Sequence, residues 1–400
     1  MQYTPMPLDD GTLYILDTLR AAGYGANVVG GAVRNHLLGI PVTDIDITTS
    51  ATPEQTKAAF SHLRVIETGI KHGTVTVLLD GTPYEITTYR ADGEYLDNRH
   101  PSSVSFTTTL AEDLSRRDFT VNAICYNPTD GYTDLFGGID DIRARIIRAV
   151  GEPETRFKED ALRIMRAIRF ASVLGFDVDP ATATAVHACR SLLDNVSRER
   201  IYTEWIKLLG GVGAYAILSE YSDVISAAIP ALSSLTLPSK KGFEQSDVLT
   251  RQLALFYLST PDPVCDFADS MRILHTDNET RIVGKTALSI LSSVDPDRMA
   301  SLLLSVYENG RTATTLAVKL GVCIDRFAPT ALDNLRAALS SDVPTSVSDL
   351  RVNGAELAAL GLRGPAIGAA LDRLIRAVIA GECKNEREAL ITLSRTFITI

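Results

Sequence analysis

The chain has 400 residues, 45% of them hydrophobic and 22% charged, with a formal net charge of −10. That length suits two to four domains, and the composition is that of a globular protein rather than a disordered or membrane-spanning one, since no apolar run approaches the roughly 18 residues a bilayer requires. The opening MQYTPMPLDD has no basic stretch followed by an apolar one, so a cytoplasmic location is expected. The cysteines, Cys125, Cys189, Cys265, Cys323 and Cys383, lie far apart with no CxxC pair, which points to neither a disulfide framework nor a cysteine zinc site.

In chain order, Val28-Val29 leads through Gly30-Gly31 into a helical stretch, and Val42–Thr48 alternates as a strand does. Thr74–Leu79 and Tyr84–Tyr89 are β-rich and flank Asp80-Gly81-Thr82-Pro83, a turn of hairpin length, so they should pair antiparallel. Ala91–Pro101 has neither period and reads as a loop of lid or lever length. From about Thr155 onward almost every pattern is helical. The expected architecture is therefore α+β, a small sheet-containing head followed by all-α modules. Joints are expected at Gly151-Glu152-Pro153, at Leu237–Gly242 and in Asp342–Ser348.

Net negative charge weighs against a polyanionic partner, but distribution decides the matter. Between Arg143 and Arg169 arginine and lysine outnumber the acids, which makes this segment the first candidate for phosphate contact.

Asp44 and Asp46 stand two apart in Val42-Thr43-Asp44-Ile45-Asp46-Ile47. On a strand both carboxylates would share one face, and two like charges held that close call for a cation. Mg²⁺ takes carboxylate oxygens and completes its shell with water and phosphate, so the pair suits a metal–nucleotide complex. A DxD alone is commonly no more than a solvent-facing strand edge. Here it follows Gly30-Gly31-Ala32-Val33-Arg34, where a glycine pair at a strand-to-helix junction lets backbone approach a phosphate and Arg34 can clamp its oxygens. Glu85, in Tyr84-Glu85-Ile86-Thr87, is the other head carboxylate that qualifies as a third acid, although an exposed strand position explains it equally well.

On a single helix drawn through residues 157–169, Phe157, Ile164, Met165 and Ile168 form an apolar face, and Asp160, Arg163, Arg166 and Arg169 a polar ribbon. A carboxylate accepts from an exocyclic amine while an arginine donates to a ring nitrogen or carbonyl, so Asp160 with Arg163 offers a base-pairing edge that takes C and A and refuses U and G. An i,i+3 surface ion pair is the commoner use of such residues.

Taken in order, GGAVRNHLLG followed by Asp44-x-Asp46 resembles the first signature of the class II tRNA nucleotidyltransferase and bacterial poly(A) polymerase superfamily. Arg116–Ala123 is similar to its ribose-recognising motif, Arg156–Arg163 to its nucleobase-reading motif and Ser197–Ile201 to its final neck motif; Leu350–Leu393 is similar to the tail of the bacterial CCA-adding branch. The resemblance implies a polymerase-β-like nucleotidyltransferase head over 1–150, a neck over 151–214, a helical body over 215–345 and a tRNA-binding tail over 346–400. It further implies template-independent addition of C, C and A to the tRNA 3′ end from CTP and ATP, with release of pyrophosphate. Asp44 and Asp46 would hold Mg²⁺; Gly31, Arg34, Arg117, Arg166 and Arg169 would bind the triphosphate and RNA end, and the later helices the tRNA elbow. Arg117 and Asp118 could serve the sugar hydroxyls, or Asp118 could simply cap a helix.

CC-adding, A-adding and poly(A)-adding relatives remain alternatives. A basic C-terminal extension of the poly(A) type is missing, and a loop like Ala91–Pro101 in this family accompanies the switch from C to A, so deletion of Glu94–His100 is expected to cost the terminal A. One position departs from the pattern: Asn35 stands where the family usually carries Asp. His72 and His100 have no second ligand at metal spacing and are assigned no metal.

Overall fold

The computed structural model describes residues 4–70, 73–92 and 104–397. His72 and the segment Glu94–His100 lie outside them. The chain divides into two compact units, 1–228 and 229–400.

In the first unit, helix α1 (Asp10–Ala21) begins where Asp9 accepts from the Thr12 amide, and Leu16 and Leu19 turn inward. β1 (Ala26–Val29) runs into α2 (Gly31–Leu37), and β2 (Asp46–Thr49) follows. α3 (Pro53–Ala59) starts on a complete capping box, Thr52 with Gln55, an arrangement worth about 1 kcal/mol. β3 (Arg64–Ile66), β4 (Thr74–Leu79) and β5 (Thr82–Thr88) come next. The expected hairpin is present with a tighter turn than the sequence suggests: Asp80 (φ 50°) and Gly81 (φ 83°) alone link β4 to β5, and Thr82 and Pro83 already belong to the strand. Two successive left-handed residues match strand twist, and an Asp-Gly pair adopts them readily.

β6 (Arg90–Asp92) and β7 (Val104–Phe106) pair antiparallel, so Ala91 and Asp92, expected to open the loop, belong to a strand. α4 (Leu110–Ser115) precedes β8 (Ile124–Asn127) and β9 (Gly131–Asp134), then α5 (Gly138–Ala144). The main sheet has the order β3-β4-β5-β2-β1-β8-β9. Only β2 and β5 are parallel, in a register that sets Asp46 opposite Glu85. Val28, Ile47, Ile86, Val75 and Val77 share one buried face, while Val29 packs with Leu114 and Cys125 on the other.

A two-residue strand, β10 (Ile146–Ile147), pairs in parallel with β11 (Asp177–Val178), and between them lie α6 (Pro153–Glu159) and α7 (Leu162–Leu174). α8 (Pro180–Cys189) and α9 (Arg198–Leu209) follow. The expected helical face is real: Phe157, Ile164, Met165 and Ile168 are fully buried. The single helix is not. Asp160 takes an extended conformation (φ −132°, ψ 103°) and ends α6, so the wheel is broken at the residue that anchored it. Two of the ribbon's arginines also meet protein rather than solvent, with Arg163 8% and Arg169 9% exposed.

The secondary-structure elements of the second unit are all helices among its described residues. Gln252, Leu253, Ala254, Leu255 and Phe256 of the helix Val248–Ser259 are buried, as are Phe267 and Met271 of Pro263–Ile273 and Ala313–Leu320 along Arg311–Cys323, apart from Thr315 and Lys319. The segment similar to a family tail forms helices Gly354–Ala359, Pro365–Ile379 and Arg387–Arg395. Among the described residues no helix is long and apolar enough to cross a membrane.

Candidate active site

Gly30 closes β1 with φ 75° and ψ −130°, a conformation costly for any residue with a side chain, and α2 starts at Gly31. A Cβ on Gly30 would come within 3.3 Å of the Arg117 guanidinium, so the glycine also makes room for that cation.

Asp46 opens β2, whereas Asp44 lies two residues before it in irregular chain. The strand alternation expected to align the two carboxylates therefore does not apply to Asp44. They are brought together differently: Asp44, Asp46 and Glu85 line one cavity of about 550 Å³, with Tyr84 and Asp9 on its wall. Thr43 donates its hydroxyl to Asp44 at 3.2 Å, and none of the three carboxylates has an ion-pair partner among the described residues. Although the Asp46 side chain reaches solvent, the protein packed around it raises its carboxyl above the usual range; Arg117 opposes this and the like charge of Asp44 adds to it. A carboxylate disfavoured by burial and by a neighbouring like charge is what a hard divalent cation relieves, so the donor set fits Mg²⁺. Among the described residues no three acids, imidazoles or thiols converge closely enough to enclose a metal by themselves.

Beyond the carboxylates stands a group of arginines. Arg34, Arg166 and Arg169 surround the ring of Phe170, their guanidinium carbons 5.1, 5.2 and 3.4 Å from its centroid. Arg169 donates to Glu204 at 2.7 Å; Arg166 donates through Nε to Asp118 at 2.8 Å and approaches Glu204 at 4.0 Å. Asp118 is no helix cap. It accepts from its neighbour Phe119's amide, from Asn122 and from Arg166, and although burial pushes its carboxyl up, Arg166 and the hydrogen bonds outweigh that and hold it at about 2. A carboxylate so engaged is a support for Arg166 rather than a free acceptor for sugar hydroxyls.

Arg117 pairs at 3.3 Å with Asp113, which is wholly buried and also takes two bonds from Arg116. Burial raises the Asp113 carboxyl, but Arg116 and Arg117 together hold it below its ordinary value. The Arg117 Nε–H has no acceptor among the described residues.

Asp160 and Arg163 are not joined to each other. Asp160 accepts from the Leu162 amide at 3.1 Å and from Arg200 at 2.9 Å. Arg163 donates from Nη1 to Glu159 and to the Arg156 carbonyl, and from Nη2 to the Arg116 carbonyl at 2.7 Å. A guanidinium has five N–H groups, so Nε–H and one N–H of Nη2 stay uncommitted, and each Asp160 oxygen keeps a lone pair. Asp113, Asn122, Phe170, Arg200 and Glu204 carry much of this geometry; Asn122 and Arg200 enter the sequence reading only as members of motifs, and the other three do not stand out in it. Arg169 and Glu204, for example, are 35 positions apart and share no spacing rule.

Comparison with known proteins gives a consistent result along the chain. Residues 26–148 match the family model of the poly A polymerase head domain, 175–221 that of the probable RNA- and SrmB-binding site of polymerase A, and 250–393 a putative tRNA nucleotidyltransferase domain 2. The chain is 37% identical over 388 residues to the CCA-adding enzyme of Lacticaseibacillus paracasei, covering 95% of this chain and 94% of the relative. It is 36% identical over 395 residues to that of Latilactobacillus sakei, covering 96% and 97%. The solved Bacillus stearothermophilus CCA-adding enzyme in complex with CTP superposes with a TM-score of 0.79 at 33% identity, over 97% of this chain and 98% of that one. The Thermotoga maritima CCA-adding enzyme complexed with tRNA shares the fold at a TM-score of 0.70 and 20% identity, over 98% and 96%.

Proposed function

This chain belongs to the family of CCA-adding enzymes, and we propose that it extends tRNA 3′ ends with C, C and A, taking CTP and ATP as substrates, using no nucleic-acid template and releasing pyrophosphate. The reading of the chemistry is carried by one observation: unpaired Asp44 and Asp46 share a cavity at the end of the strand that follows an arginine-bearing glycine turn. Within this reading 1–150 is the catalytic head, 151–214 the base-reading neck, 215–345 the body and 346–400 the tail that meets the tRNA elbow. The protein works in the cytoplasm.

Asp44 and Asp46 would hold Mg²⁺, and Glu85 stands opposite Asp46 in the strand register. When bound, the metal would lower the pKa of the attacking 3′-hydroxyl and stabilise charge on the leaving oxygen. The chain's own residues do the rest by position. Gly31 and Arg34 approach the triphosphate from the turn, Arg117 from the head, and Arg166 and Arg169 from the neck, so that negative charge is matched on two sides. Asp160 accepts from the amino group of C or A while the uncommitted N–H groups of Arg163 donate to the neighbouring ring acceptor.

The test uses tRNAs ending before CCA, after the first C and after CC, incubated with labelled CTP or ATP and resolved to single nucleotides. The expected product is CCA from each, followed by arrest. Arrest after CC, or a long A tail, would replace this reading with CC addition or polyadenylation.

A further inference from the structure

The arginines around the candidate active site are not equally neutralised. Arg117 has Asp113, Arg166 has Asp118, and Arg169 has Glu204. Arg34 alone among them holds only neutral acceptors: its Nε and Nη2 donate to one atom, Asn35 Oδ1, at 3.2 and 2.8 Å, and its Nη1 donates to Asn122 Oδ1. Its guanidinium lies over Phe170 beside two further arginines and is partly buried. Burial together with the positive charges of Arg169 and Arg166 makes its charge expensive enough to lower its pKa to about 10, against a partial offset from Asp118. Three cations around Phe170 thus face two anions, Asp118 and Glu204, and the surplus positive charge rests on Arg34.

We propose that Asn35 is a positioning residue that aims Arg34 through a neutral carbonyl and so keeps its charge available for the nucleotide triphosphate. The proposal rests on the reading of Arg34 as a triphosphate contact given above. A carboxylate at position 35 would accept the same two N–H groups and hold the guanidinium in the same plane, but it would cancel the charge that the incoming polyanion is meant to meet. An amide carbonyl supplies direction without neutralisation. Two bonds donated by Arg34 to Asn35 and one to Asn122 remove most of the rotational freedom of a long side chain, so little entropy is lost when the phosphates arrive.

The experiment is direct measurement of CTP and ATP dissociation constants for the full-length enzyme, without tRNA and at several salt concentrations, alongside steady-state kcat and KM with tRNA. Asn35→Asp should weaken both nucleotides alike by about three- to tenfold, the scale of one partly screened charge. It should also flatten the salt dependence of binding, with kcat affected less than affinity. Asn35→Ser, which keeps a neutral acceptor, should stay closer to the parent than Asn35→Asp does. Thermal unfolding serves as the control for folding, since the introduced carboxylate adds an ion pair and should leave Tm level or higher. Arg34→Gln separates the two layers of the argument. If Arg34→Gln loses nucleotide affinity while Asn35→Asp binds as tightly as the parent, the role given to Asn35 is overturned and Arg34 remains a phosphate contact. If Arg34→Gln itself binds CTP and ATP normally, the underlying reading fails.

Discussion

At Asp44 and Asp46 the change of one oxygen to an amide nitrogen preserves shape and removes a full charge. Asp44→Asn or Asp46→Asn should therefore each abolish addition of C and of A by several orders of magnitude while tRNA binding survives. Retention of more than about a tenth of parent activity by either variant would remove the metal-ligand role. Asp118 makes a different statement, about stability. Its carboxyl is held at about 2 against an ordinary 3.8. A depressed folded-state value means that the stabilisation is complete above pH 3.8 and is lost as pH falls from there towards 2. The difference is worth roughly 2 kcal/mol at neutral pH. Asp118→Asn should flatten the acid limb of the stability curve in that window, as read by denaturant unfolding at a series of pH values. Identical slopes for parent and variant between pH 4 and 2 would show that the pairing with Arg166 contributes nothing to acid sensitivity.

Among the elements, α7 carries the greatest load, because one helix contributes both core and charge. Its apolar face is legible in the sequence, since Ile164, Met165 and Ile168 recur at helical spacing and all are buried. The break at Asp160 is not legible, because what holds it is tertiary: Arg200 on α9 fixes the Asp160 carboxylate in an extended residue between two helices. The hairpin could be read because Asp-Gly has a local conformational preference. The two strand residues of α-carbon register that set Asp46 against Glu85 could not be, because parallel pairing is decided by the rest of the sheet. Arg163 stands at this boundary. Its donors to the Arg116 and Arg156 carbonyls and to Glu159 tie α7 to the head and to α6, so Arg163→Ala strips the Arg116 carbonyl of its partner and weakens the other two, besides removing the proposed base contact. The variant should lose roughly 2–3 kcal/mol of stability, and misincorporation of U or G should rise as correct addition falls. Lost stability with unchanged fidelity would assign Arg163 to structure alone.

At the scale of the whole molecule, the net charge of −10 and the RNA substrate pull in opposite directions. Composition alone expresses the conflict, and the arrangement of charges sharpens it. Much of the arginine is spent internally: Arg148 on Asp141 and Asp179 in the first unit, Arg376 on Asp372 and Glu308 and Arg387 on Glu356 in the second. A guanidinium already paired with a carboxylate releases few counterions from RNA, and the surrounding negative field slows approach of another polyanion. Recognition then has to come from shape and from a small number of unpaired cations. Each phosphate truly neutralised contributes about 0.7 to 0.9 to the slope of log affinity against log salt concentration. For binding of a tRNA that ends before CCA, measured at equilibrium across about 50 to 200 mM salt, the magnitude of that slope should stay below about 4. A slope near 10 would mean that an extended basic face engages the RNA, and the internal pairing of these arginines would have to open on binding.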